Sequence, residues 1–175
     1  MEEDLRYPIG KFQYQGIATP EQRQAFIQHI AQTPGKLHEA VQNLNEEQLS
    51  TPYRSGGWTV RQVAHHLPDS HLNSYTRFRL ALTEEEPTIR PYYEDRWAEL
   101  NDSRFAPIDY SLDLLEALHN RWVFMLNSLD ENDWKKSFRH PDLGLVTLDK
   151  NLALYSWHGQ HHVAQIHTPR KRMNW

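Results

Sequence analysis

The sequence predicts an all-α four-helix bundle, on three observations. Four stretches carry apolar residues at three- and four-residue spacing, the period of a helix that buries one face. Two of them open with a capping box, Thr19 with Gln22 and Thr59 with Gln62, where each residue's side chain caps the other's amide. The 175 residues contain no linker, internal repeat or low-complexity segment, so one domain spanning 1–175 is expected.

The first helix opens at Thr19-Pro20, and proline suits the first helical position. Phe26, Ile30, Leu37, Val41 and Leu44 follow at helical spacing, and Pro34-Gly35 predicts a kink rather than two helices. The second follows Ser55-Gly56-Gly57 and sets Val60, Val63, Leu67, Ser74 and Phe78 on one face. Pro68 lies inside it and cannot donate to the carbonyl four residues back, which predicts a bend. The third begins near Ser111, with Leu112, Leu115, Leu118, Trp122, Met125 and Leu129 as its stripe. The fourth opens at Thr147, has Asp149 in its first turn, turns Leu148, Leu152, Tyr155 and Ile166 inward, and is expected to stop at Thr168-Pro169. Residues 5–18 read as extended and 84–110 as a long connection. Pro141-Asp142-Leu143-Gly144 reads as the turn of a small hairpin near 138–147.

Composition narrows the function. With no cysteine, disulfides, thiolate zinc sites and a cysteine nucleophile are excluded. A net charge of −4 and a pI near 6.2 point to neither nucleic acid nor an anionic membrane. Arg170-Lys171-Arg172 is too short a basic run for a binding patch and is expected to be solvated. The acidic start, Met1 to Asp4, has no apolar run behind it and does not resemble a signal peptide. No stretch approaches the roughly 18 apolar residues of a membrane span. The expected location is the cytoplasm. What the chain has in excess is histidine: eleven, clustered at His65, His66 and His71 and at His158, His161, His162 and His167.

A helical wheel sorts these. Measured from Val63, His66 falls about 60° away on the flank of the inward stripe, and His65 about 160° away, toward solvent or a neighbour. Measured from Leu148, His162 lies about 40° and His158 about 80° away on one side, while His161 lies about 140° away and points out. His158 and His162 are four apart, so their imidazoles stand one above the other. With His66 from a facing helix they make three neutral nitrogen donors, a set that suits Zn, Ni, Cu or Fe and leaves positions open. Gly159 and Gln160 follow His158, so the His-Glu-x-x-His pattern of zincin peptidases, with its general base, is absent.

Two segments resemble a known family. Trp58-Thr59-Val60-Arg61-Gln62-Val63-Ala64-His65-His66-Leu67-Pro68-Asp69-Ser70 is similar to the second-helix motif of the DinB superfamily, and Trp157-His158-Gly159-Gln160-His161-His162 to its fourth-helix motif. Tyr7-Pro8-Ile9-Gly10-Lys11, Thr51-Pro52-Tyr53-Arg54, the run His71 to Arg79, Arg90-Pro91-Tyr92 and His140-Pro141-Asp142 resemble the YfiT-like branch, described as metal-dependent hydrolases. The resemblance spans nearly the whole chain. It implies a four-helix bundle, a divalent ion (zinc ahead of nickel) on His66, His158 and His162, and a cytoplasmic homodimer acting on a small-molecule substrate. Pro68 departs from the family pattern, which has a small non-proline residue there.

A catalytic ion of this kind acidifies water and polarises a substrate oxygen, so metal-assisted hydrolysis is the first expectation. The alternatives are a metal-dependent S-transferase using a low-molecular-weight thiol of the bacillithiol type, and a non-catalytic metal-binding bundle sealed by aromatics such as Tyr7 or Trp97. Asp69 is a candidate to orient His66, Tyr155 to pack or to touch substrate, and Asp142 to act as a base; no residue stands out as the general base.

Overall fold

The computed structural model describes residues 5–175; Met1 to Asp4, the acidic start, lie outside the described residues. Seven helices appear in chain order: α1 (Pro20–Val41), α2 (Glu46–Leu49), α3 (Val60–Thr83), α4 (Glu94–Ala98), α5 (Asn101–Phe105), α6 (Asp109–Leu126) and α7 (Leu148–Met173). A short 3₁₀ turn at Asp133–Lys135 leads into an antiparallel hairpin, β1 (Ser137–His140) and β2 (Gly144–Thr147), with Phe138 opposite Val146. The hairpin lies where the turn signal put it, and Gly144 takes the positive φ (71°) that closes it.

The four long helices form the bundle. α1 packs on α6 and α7, α3 packs on the same two, and α1 and α3 sit across a diagonal. Both expected capping boxes form, at Thr19 with Gln22 and at Thr59 with Gln62. α1 and α3 each run on through their internal prolines, Pro34 and Pro68, as single helices. α6 begins two residues earlier than Ser111, at Asp109. Asn45 and Gln48 supply a third capping box, on the brief α2, and the 84–110 connection holds α4 and α5. The same connection pairs with β1, through Ile89 N–H to the Arg139 carbonyl (3.0 Å) and Arg139 N–H to the Pro87 carbonyl (2.9 Å).

One expected end is corrected. α7 does not stop at Thr168-Pro169 but continues to Met173. The Arg170 guanidinium donates to the Glu39, Ala40 and Gln42 carbonyls at the end of α1, which holds the last turn against that helix and satisfies carbonyls that a helix end leaves open. Arg170 is therefore a strut, whereas Lys171 and Arg172 are exposed as expected.

The apolar core is split. One cluster gathers Ile30, Phe78, Trp122, Leu148 and Leu152; the other gathers Leu37, Val63, Leu67, Leu115 and Ile166. On every long helix a polar position falls between the two: Thr33 on α1, His71 on α3, His119 on α6 and His158 on α7. α1 and α7 approach closely at this level, because a Cβ on Gly159 would lie 2.6 Å from Thr33 Oγ1. Residues 5–18 form no helix or strand and lie along α7. Asp149, nearly fully buried, ties this segment down by accepting from the Tyr14 hydroxyl (3.0 Å), the Ala18 N–H (3.1 Å) and Arg23 Nε (3.0 Å).

Candidate metal centre

His66 comes from α3 and His158 and His162 from successive turns of α7, and each offers a ring nitrogen within 4.8 Å of those of the other two. His66 Nε2 and His158 Nε2 are 3.3 Å apart. Two nitrogens bound to one ion at about 2.1 Å in a tetrahedral arrangement lie roughly 3.4 Å apart, so this pair is spaced for a shared ion. The donor set is all imidazole, which fits zinc or nickel better than magnesium or calcium.

Burial keeps the donors neutral. It is the main cause that pushes His66 down to about 4, with the neighbouring His161 adding to it. Burial also lowers His158 and His162 well below the ordinary histidine value, and the facing imidazoles reinforce this. Near pH 7 all three are deprotonated, the form that binds metal. The three line a cleft of about 400 Å³ whose other walls include Trp58, Arg77, Tyr92, Glu94 and Tyr155. Trp58 packs on His66 at 4.8 Å between ring centres.

The surroundings differ in part from what the helical wheel gave. His161 does not point to solvent. It is 5% exposed, stacks on Trp157 at 4.4 Å, has Tyr7 5.8 Å away, and is bonded by Gln165 Nε2 (3.0 Å). The wheel placed it on the outer face of α7, and residues 5–18 cover that face. His65 takes the neighbour rather than the solvent: Nδ1 meets Ser111 Oγ at 2.7 Å and Nε2 the Ala106 carbonyl at 3.2 Å. Asp69 makes no hydrogen bond to His66; burial and the charge of Asp102 raise its pKa to about 6. Tyr155 packs in the core at 4% exposure and sets its hydroxyl 3.3 Å from Ser70 Oγ, which is itself 3.4 Å from His158 Nε2. Asp142 stands on the hairpin turn at the rim, 3.9 Å from His140 Nδ1. Trp97 packs at a tilt on Tyr92, 4.8 Å between ring centres, and is 38% exposed, so it does not seal the cleft.

Three further residues belong to the surroundings of this site. Glu94 lines the cleft, and burial, then the charge of Asp95, raises its carboxyl above the ordinary value. His71 and His119 are buried behind His158: His71 Nε2 lies 3.1 Å from His158 Nδ1, and His71 Nδ1 lies 2.8 Å from His119 Nε2. The wheel that selected His66 also selects His71, about 80° from Val63, and on α6 His119 lies about 40° from Leu115.

A four-helix bundle with three convergent histidines from two facing helices defines the class: a small helical protein with a candidate metal site lined by histidine. The DinB superfamily model matches residues 29–166, most of the chain, and the chain belongs to that superfamily. A Bacillus cereus protein named "Putative metal-dependent hydrolase" is 55% identical over 172 residues, covering 98% of this chain and 99% of its own. A Bacillus anthracis protein of the same name is equally similar. The solved structure of YfiT from Bacillus subtilis, described as a probable metal-dependent hydrolase with an unusual four-helix bundle topology, superposes with a TM-score of 0.95 at 49% identity, covering 98% of each chain. The four-helix bundle protein TT2238 shares the fold alone, with a TM-score of 0.58 at 18% identity over 83% of this chain and 98% of that one.

Proposed function

We propose that this protein is a metal-dependent hydrolase of small molecules whose single divalent ion, zinc ahead of nickel, is held by His66, His158 and His162. The observation that carries the reading is the convergence of three neutral imidazole nitrogens on one point in the wall of an open cleft. A bound ion would supply Lewis acidity, polarising a substrate oxygen and acidifying water.

The chain's own groups supply the rest. Ser70 and Tyr155 offer hydroxyls beside His158 to orient a substrate oxygen. Glu94, whose carboxyl lies above the ordinary value, is the wall group we assign to exchange a proton, ahead of Asp142 on the hairpin turn. Arg77, also on the wall, makes no hydrogen bond or ion pair with any described residue, which suits a substrate carrying an anionic group. The reading includes one domain over 1–175, a homodimer and a cytoplasmic location; sedimentation of the purified protein checks the dimer.

Elemental analysis of tag-free protein tests the centre. About one divalent ion per chain is expected, lost in His66→Ala and in His162→Ala. Panels of esters, amides and thiol-transfer pairs then separate hydrolysis from transfer to a low-molecular-weight thiol. A parent protein that neither carries nor takes up zinc or nickel would sink the reading.

A further inference from the structure

Pro34 has no N–H, so it cannot bond the carbonyl of Ile30 four residues back in α1. That carbonyl is not left alone: His119 Nδ1, on α6, lies 2.6 Å from it. The contact fixes a proton. A carbonyl only accepts, so His119 carries its hydrogen on Nδ1, and a neutral imidazole has no second one, so its Nε2 accepts. The partner of that Nε2 is His71 Nδ1 at 2.8 Å, which must therefore donate. His71 Nε2 is then the acceptor, and His158 Nδ1, 3.1 Å away, must donate to it. What remains on His158 is a bare Nε2 lone pair facing His66 Nε2. Among the described residues no carboxylate is hydrogen-bonded to any of the three rings to support a cation, and a buried cation without a partner is costly.

We propose that His71 and His119 are positioning residues that hold His158 in its metal-binding tautomer, and that the polarity of the chain is set by the Ile30 carbonyl that Pro34 frees. The chain rests on the ligand assignment proposed above only at its last link. It runs from α7 through α3 and α6 to α1, so it crosses every long helix of the bundle at the polar level between the two apolar clusters. A partner on the second ring nitrogen fixes which nitrogen faces the metal and how the ring is turned. Here that partner is a relay three groups deep rather than a single carboxylate.

Glutamine can imitate the relay, since its carbonyl accepts and its amide donates, whereas leucine fills the space and does neither. Histidine ¹⁵N spectra of the full chain, recorded zinc-free and zinc-loaded, should show His119, His71 and His158 each protonated at Nδ1. In competition with a chromophoric chelator, His71→Leu should lower zinc affinity about 10–100-fold, and His71→Gln should restore most of it. An Nε2–H form at any of the three rings would overturn the relay. So would leucine and glutamine variants that bind zinc equally well, which is the result a space-filling role gives. Should His71→Leu fail to fold, the spectra of the parent decide. Should the parent bind no zinc, the ligand assignment falls, while the tautomers of the zinc-free protein still decide the relay.

Discussion

His158 and His162 stand one turn apart on the same helix and are backed in opposite ways. Behind His158 the support goes inward, ring to ring across the bundle, and ends on the Ile30 carbonyl. Behind His162 it goes outward and is one residue long: His162 Nδ1 meets Gln165 Oε1 at 2.8 Å, and Gln165 Nε2 donates to the Arg6 carbonyl at 2.9 Å, in the irregular segment that covers α7. Both routes end on a backbone carbonyl, so both leave Nε2 bare. The difference lies in what each depends on. The inner route depends on the packing of four helices, and the outer one on a segment held from outside, largely through Asp149. A metal ion on these three residues would be backed by the helix bundle on one side and by an irregular segment on the other.

Acid should break the inner side with the largest effect. Burial holds His119 at about 4, below the 6.5 of an ordinary histidine. As pH falls through 6.5 the unfolded chain takes up a proton that the folded chain refuses until about 4, so stability is full above 6.5 and is lost across that window. His119 alone accounts for a loss on the order of 3 kcal/mol at the bottom of the window. Asp69 works in the opposite sense: its folded pKa is raised to about 6, so it relieves a strain as pH falls from 6 toward 3.8. His71 shares the direction of His119, as do His66, His158, His161 and His162, and together they tip the balance. Thermal melts of chelator-treated protein should therefore drop steadily from pH 7 to pH 5, and a flat profile would contradict the burial of these histidines in their neutral form.

Cutting the outer route is expected to matter less. Gln165→Leu removes the partner of His162 Nδ1 and should weaken zinc binding by about 10-fold, the low end for such partners, and should lower the melting temperature of the metal-free protein as well, since Gln165 is buried and also serves His161 and the Arg6 carbonyl. A loss as large as that of His71→Leu would erase the contrast between the two sides. Smallest of all should be Pro34→Ala. The restored N–H competes for the Ile30 carbonyl, but a carbonyl has two lone pairs and can serve both donors. Chelator competition should show a drop of a few-fold or less, together with a more stable α1, since proline in a helix interior disfavours it by about 3 kcal/mol relative to alanine.

Much of this was legible in the chain. The capping residues Thr19, Thr59 and Thr147 mark three helix starts because they act on amides two or three residues away, with no help from tertiary structure. The inward flank of α3 and α7 selects His66, His158 and His162, and the fold brings those three together. What could not be read depends on contacts between distant segments. The burial of His161 needs Tyr7, some 150 positions away, to lie over it. The run of α7 past Pro169 needs Arg170 to find the end of α1. His71 and His119 were within reach of the wheel, but their purpose appears only once α6 is known to face the carbonyl opposite Pro34.

The relay also limits how the centre can be altered. Many metal sites exchange a histidine for a carboxylate. At position 158 a carboxylate would bring an acceptor against His71 Nε2, which also accepts, and His71 cannot turn over while His119 holds it, nor can His119 while it is bound to Ile30, so His71 would have to take up a proton and become a buried cation to meet it. A one-step change of ligand there alters the charge of the core as well as the donor. Position 162 has only an amide behind it, so new ligands, and with them new metals, have an easier entry on the outer side.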